Sequence, residues 1–100
     1  MKPGSFVVVY LVNPKERYWG ALQDITPAGT TLRGLDIASF DDWCRQVAAR
    51  AEAAIGLTTV FFPILRIEKI ILDEASGGGR SMQQTFEQIV GSSVKEFLSL

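Results

Sequence analysis

The chain has 100 residues, a length that suits one domain with one core, and 47% of its residues are apolar, which is typical of a globular protein rather than a disordered one. It contains no histidine, the commonest metal ligand and general base, so we expect no metal, no cofactor and no enzymatic activity. Ten basic and eleven acidic residues give a net charge of −1, which argues against strong non-specific binding of nucleic acid.

Three apolar segments in the first part of the chain predict an antiparallel meander of β-strands, at residues 6–12, 18–25 and 30–37. A proline lies in each of the two short connections between them, where it favours a tight turn. In the first segment the odd-numbered and the even-numbered positions are both apolar. Both of its faces must therefore be covered by another part of the chain or by another subunit. Gly20, within the second segment, predicts a bend or a bulge.

Residues 39–55 show the spacing of an amphipathic helix, with apolar side chains three and four positions apart. Ser39 and Asp42 have the arrangement of a capping box at its start. Residues 57–72 return to the strand pattern and are interrupted by Pro63, which cannot donate a hydrogen bond to a neighbouring strand. They therefore predict a fourth and a fifth strand.

The last part of the chain predicts a second helix, at residues 81–98, after a polar loop with three consecutive glycines. Ser81 and Gln84 form a capping-box pattern at its start, and Gly91 is a weak point inside it. No shift in composition and no repeat divides the chain, so we expect residues 1–100 to form a single domain. The predicted fold is α+β and mainly β: a small five-stranded barrel with one inserted helix and one C-terminal helix.

This order of elements is similar to that of the Sm-like family of small SH3-like β-barrels. Residues 8–13, 19–24 and 31–32 resemble the first Sm signature, an apolar strand, a turn, a glycine-initiated second strand ending near an aspartate, and a third strand. Residues 61–70 resemble the second signature, whose strands mediate ring formation in that family. The resemblance implies a small barrel, a homo-oligomer and, as a function, that of an RNA-binding regulator.

The chain differs from the family where the family binds RNA. The RNA pocket of Sm-like proteins uses an asparagine in the loop between the second and third strands, and residues 25–30 contain none. An Arg-Gly step is also expected near the last strands, but Ile67 follows Arg66 here. The resemblance thus implies the barrel and the oligomer more directly than it implies RNA binding.

A nucleic-acid contact is nevertheless one candidate site, and its residues are Lys15, Arg17, Tyr18 and Arg33. The cations would hold phosphates while the Tyr18 ring stacks on a base, provided that the second and third strands pair. The alternative interpretation is that these are edge charges around a packed core.

A second candidate is an anion contact at the start of the last helix, formed by Gly78, Gly79, Arg80 and Ser81. Backbone N–H groups of a glycine loop and of a helix N-terminus can hold an anion, and a guanidinium adds charge. The spacing of a P-loop is absent, so a simple linker is the alternative. Asp73 and Glu74, at the start of this loop, are interpreted as solvated charges.

Cys44 is the only cysteine, and it lies on the apolar face of the first predicted helix. The carboxylates of Asp41 and Asp42 beside it would raise the pKa of its thiol, which opposes a nucleophilic role. We expect Cys44 to be buried as a packing residue.

These observations favour a non-enzymatic interaction module that associates with itself, with a protein partner as a further expectation and RNA binding as the alternative function. A small barrel has few places to bury Phe61, Phe62, Phe86, Phe97 and Leu98 together, so we expect a homo-oligomer. The apolar segment 6–12 is too short to span a membrane and is not followed by a cleavage site of small residues. We therefore expect a cytoplasmic protein that does not bind membranes.

Overall fold

The computed structural model describes residues 1–50 and 55–98, in which five strands and three helices alternate much as the apolar pattern predicts. The strands are β1 (Phe6–Leu11), β2 (Glu16–Thr26), β3 (Gly29–Asp36), β4 (Thr58–Pro63) and β5 (Ile67–Leu72). The helices are α1 (Phe40–Ala48), α2 (Met82–Val90) and α3 (Val94–Leu98), and 3-10 turns lie at Ile37–Ser39 and Ile64–Arg66.

The five strands form one sheet in the order β4-β3-β2-β1-β5, and every neighbouring pair is antiparallel. The meander of β1, β2 and β3 is confirmed, β4 adds to β3, and β5 returns to the far side of β1. In the described part of the chain β4 and β5 do not pair with each other, so they are the two outer strands of an open sheet. The predicted α+β class with five strands is therefore confirmed, whereas closure of the sheet into a barrel is not.

The β2 and β3 backbones come unusually close where Gly20 and Gly34 face each other. A Cβ atom on Gly20 would lie against the carbonyl oxygen of Arg33, and one on Gly34 would lie 2.8 Å from Cα of Gly20. The bulge predicted at Gly20 is instead found farther along β2, where the register shifts between Leu22 and Asp24. Gly20 is needed for close approach rather than for a bulge.

Both faces of the sheet are buried at β1, as the apolar pattern of that strand requires. One face packs under the helices, and its core includes Phe6 and Val8 of β1. The opposite face carries a smaller core that includes Val7 and Val9. Side chains from the two outer strands meet in this second core: Val60 and Phe62 of β4, and Ile67 and Ile70 of β5. The sheet therefore curls around it, and the second face of β1 is covered by the chain itself.

The inserted helix is shorter than predicted. α1 ends at Ala48, whereas the sequence pattern extends over 39–55; residues 51–54 lie outside the described residues. The Ser39 side chain makes no capping hydrogen bond, so the predicted capping box with Asp42 is absent.

The predicted C-terminal helix over 81–98 is two helices, because Gly91 ends α2 with a φ of 90° in the left-handed region. The capping box at its start is confirmed. Ser81 Oγ accepts from the backbone N–H of Gln84 at 3.0 Å, and Gln84 Oε1 accepts from the Ser81 N–H at 2.9 Å.

The helices pack on their own sheet, which corrects one argument for an oligomer. Phe86 is fully buried, with its ring centroid 5.1 Å from that of Trp43, and the Phe97 ring lies 5.9 Å from Trp43. These two aromatic residues are accommodated by the helical layer, and they need no second subunit to cover them.

Candidate functional site

Lys15 and Arg17 lie together at one end of the sheet, where β1 turns into β2. Arg17 is exposed and is paired across the strands with Tyr10, which is in turn paired with Lys69 of β5. The Lys69 ammonium lies 4.7 Å from the centroid of the Tyr10 ring, within the range of a cation–π contact. A row of cation, aromatic ring and cation thus crosses three strands.

Tyr18 points away from this row, to the opposite face of the sheet, because successive side chains of a strand alternate. Its ring packs edge-on against Phe62, with centroids 4.9 Å apart, in the smaller core. Burial raises the pKa of Tyr18, and the charges of Glu16 and Asp36 add to the shift. Tyr18 therefore cannot stack on a base at the surface that holds Arg17.

Arg33 is on the same face as Arg17 but lies well away from it. It pairs with Ala21, four residues along β2, which corresponds to about 13 Å at the usual rise of a strand. Its Nη1 lies 3.4 Å from Thr59 Oγ1 of β4. Of the four residues of the predicted nucleic-acid contact, the structure brings together only Lys15 and Arg17.

The predicted anion contact involves backbone donors that are already bonded within the chain. Gly79 N–H donates to the Ser76 oxygen at 2.9 Å, and the Ser81 N–H donates to Gln84. Gly78 and Arg80 are exposed in the loop.

The N-terminus of α2 already holds an anion, the carboxylate of Asp73. The backbone N–H groups of Met82 and Gln83 donate to Asp73 Oδ1 and Oδ2 at 2.7 and 3.0 Å, and the Trp19 indole Nε1–H donates to Oδ2 at 3.1 Å. Asp73 is only 8% exposed, so its interpretation as a solvated loop charge is wrong. It joins the end of β5, the middle of β2 and the start of α2.

Cys44 is fully buried in the core beneath the helices, as predicted. Burial, followed by the nearby charge of Asp41, raises the pKa of its thiol to about 12. A thiol so far from ionising at neutral pH is a poor nucleophile.

We expect the free energy of unfolding to fall above pH 9 because of Cys44. In the unfolded chain the thiol ionises near its ordinary pKa of 9.0, whereas in the folded chain it stays protonated to about 12. The stabilisation is complete well below pH 9 and is lost as the pH rises toward 12, with a slope that averages about 0.7 kcal/mol per pH unit between pH 8 and pH 10 and approaches about 1.4 kcal/mol per unit above that range. Urea denaturation followed by tryptophan fluorescence between pH 8 and pH 10 measures this slope, and Cys44→Ala should remove it. An equal slope in Cys44→Ala would show that another group is responsible.

The two outer strands and the turn between them expose large apolar side chains. On β4, Phe61 is 51% exposed, and Leu65 in the 3-10 turn Ile64–Arg66 is 89% exposed. On β5, Ile71 and Leu72 are each 41% exposed. We call these exposed apolar residues of the two outer strands and of the turn that joins them the apolar edge: Phe61, Ile64, Leu65, Ile71 and Leu72.

The turn that carries Leu65 is held in place by Arg66. The Arg66 guanidinium forms an ion pair with Glu16 at 2.8 Å, and it donates to the carbonyl oxygens of Val12 and Pro14 at 3.1 and 2.9 Å. All three partners belong to the end of β1, the β1–β2 turn and the start of β2. Leu65 is thus presented to solvent by a well-anchored turn.

Residues 1–50 and 55–98 contain no group of three or more His, Cys, Asp or Glu side chains that could hold a metal ion. Within the same residues, every helix is too short or too polar to cross a membrane. No family model matches the chain, and no curated protein or solved structure matches it.

Proposed function

We propose that this chain is a non-enzymatic interaction module that associates with itself through its outer strands, β4 of one copy pairing with β5 of another. One observation carries the proposal. Of the nine large apolar side chains that are exposed in the described residues, five lie on the apolar edge, between residues 61 and 72. Such a concentration of exposed apolar surface usually marks a contact site.

The backbone of the outer strands supports the same conclusion. β4 is paired only with β3, and β5 only with β1, in the part of the chain that the structure describes. Each strand therefore has one side on which N–H and C=O groups lack a partner strand, and a strand from a second copy satisfies such groups. Pairing would cover part of the apolar edge of each copy.

The anchoring of the turn by Arg66 favours a specific contact. The turn that carries Leu65 is anchored by hydrogen bonds of the Arg66 side chain that exist in the free chain. Its backbone would therefore lose little additional conformational entropy on association.

We also infer that the chain is a small curled barrel related to the Sm-like proteins. The meander, the connecting helix, β4, the break at Pro63 and β5 follow the order on which the resemblance rests. Residues of both outer strands share the smaller core, which supports a sheet that curls toward closure. RNA binding ranks second because Tyr18 and Arg17 are on opposite faces. A protein partner and a cytoplasmic location stay predictions from the sequence.

Leu65→Asp is expected to dissociate the oligomer. A charge at the most exposed position of the apolar edge should weaken association at least tenfold, since loss of a central apolar contact costs more than about 1.4 kcal/mol. Light scattering coupled to gel filtration measures the mass of the eluting species, which for the wild type should be a multiple of 11.0 kDa. Circular dichroism verifies that the variant is folded.

Ile89→Asp is the matched control, because it places the same charge at an exposed apolar position on α2, away from β4 and β5. It should leave the mass unchanged. A wild-type chain that stays at 11.0 kDa at all micromolar concentrations would refute the proposal, and so would equal effects of Leu65→Asp and Ile89→Asp.

A further inference from the structure

A pocket of about 420 Å³ opens at the end of the sheet where β1 turns into β2. Tyr10 and Leu11 of β1 and Ile37 of the first 3-10 turn contribute apolar surface to it. Lys15 and Arg17 line it as well. Its volume lies within the range of pockets that hold small organic molecules, and it combines an apolar wall with a few charged groups, as such pockets do.

The carboxylates that line this pocket are mostly engaged. Glu16 forms its ion pair with Arg66 at 2.8 Å. An Asp36 carboxylate oxygen accepts from the backbone N–H of Ala38, also at 2.8 Å. Glu68 is the remaining carboxylate of the lining, and it is exposed.

The two cations of the pocket have no such partners. Among residues 1–50 and 55–98, neither Lys15 nor Arg17 takes part in an ion pair. Lys69 adds positive charge nearby, at 4.7 Å from the Tyr10 ring. Together with Arg66, which pairs with Glu16, these cations number four against the three carboxylates of the lining, an excess of one positive charge at this end of the sheet.

We propose that this pocket binds a small organic anion with a planar apolar ring. The guanidinium of Arg17 can hold a carboxylate or a phosphate through two parallel hydrogen bonds, and the Lys15 ammonium adds charge. The ring of the ligand lies against Tyr10 and Ile37. Aromatic carboxylates and nucleoside monophosphates share this chemistry. The site is separate from the apolar edge, so it adds a ligand to the proposed interaction module.

Binding is tested by titrating the ¹⁵N-labelled protein, observed by NMR, with indole-3-acetate and with adenosine monophosphate. We expect at least one of the two to shift amide signals around residues 10–17 and 36–38. Acetate, which lacks the ring, and tryptamine, which replaces the carboxylate by an ammonium, should bind at least tenfold more weakly than the better probe. Preference for indole-3-acetate identifies a carboxylate ligand, preference for the nucleotide identifies a phosphate ligand, and both support the proposal.

Arg17→Gln should weaken binding of the better probe about tenfold, since a hydrogen bond to a charged group is lost. Arg33→Gln is the matched control: it makes the same change at an exposed arginine on the same face of the sheet, outside the pocket, and should leave binding unchanged. Three results would overturn the proposal: no shift with either probe, tighter binding of tryptamine than of indole-3-acetate, or equal losses in the two arginine variants.

Discussion

Replacing Gly34 by alanine is expected to destabilise the fold by about 3 kcal/mol or more, at the upper end of what an added methyl group costs in a packed protein. The new Cβ would meet the carbonyl oxygen of Trp19 and would lie 2.8 Å from Cα of Gly20. Both are backbone atoms of β2, so no side chain can rotate to make room. The strands β2 and β3 would have to separate at the centre of the sheet.

Guanidinium denaturation followed by tryptophan fluorescence measures this loss. Gly78→Ala is the control, because a Cβ at Gly78 has no neighbour within 4 Å, and we expect it to change the free energy of unfolding by less than about 1 kcal/mol. If Gly34→Ala shows no cooperative unfolding transition, the variant is not stably folded, and this result also agrees with the expectation. Equal stability of the two variants would contradict the close approach of β2 and β3.

Asp73→Ala should lower the free energy of unfolding by a similar amount, through a different mechanism. Removal of the carboxylate leaves the Trp19 indole N–H and the backbone N–H groups of Met82 and Gln83 without their acceptor. A buried donor without a partner costs about 1–3 kcal/mol, so a total loss of about 3 kcal/mol or more is expected. Asp73→Asn keeps an acceptor oxygen and should cost less.

The same denaturation experiment applies, with Asp24→Ala as the control at an exposed carboxylate of β2. Hydrogen exchange adds a local measurement, since α2 should lose protection in Asp73→Ala before the strands of the sheet do. If the midpoints of Asp73→Ala and Asp24→Ala coincide, Asp73 does not hold α2 to the sheet.

The strands could be predicted because their apolar and β-branched segments are short and are separated by proline and glycine, which leaves few alternatives. It could not be predicted that each outer strand pairs with only one neighbour, because closure depends on the curvature of the sheet. The burial of Phe86 and Phe97 within one chain could not be predicted for a related reason. A barrel alone has no room for Phe86 and Phe97, but helices packed on one face of the sheet provide it.

Strand alternation alone would have excluded a nucleic-acid contact that uses Arg17 and Tyr18 on one surface. Arg17 and Tyr18 are consecutive residues of one strand, so their side chains lie on opposite faces whatever the rest of the fold is. The role of Asp73 was harder to infer. Its partners are Trp19, 54 positions away, and the N–H groups of a helix that begins after the glycine loop. Only the three-dimensional arrangement brings a loop carboxylate to those donors.

The position of β1 has a consequence for how the molecule comes apart. It has a hydrogen-bonded strand on each side, β2 and β5, and a core on each face, so Val7 and Val9 are completely shielded from water. No local fraying can open such a strand; it becomes accessible only when both cores are lost together. The outer strands, which carry the proposed contacts, can loosen without this loss. A protease that attacks folded copies would therefore begin at the periphery of the sheet, and β1 would be the last strand to be cut.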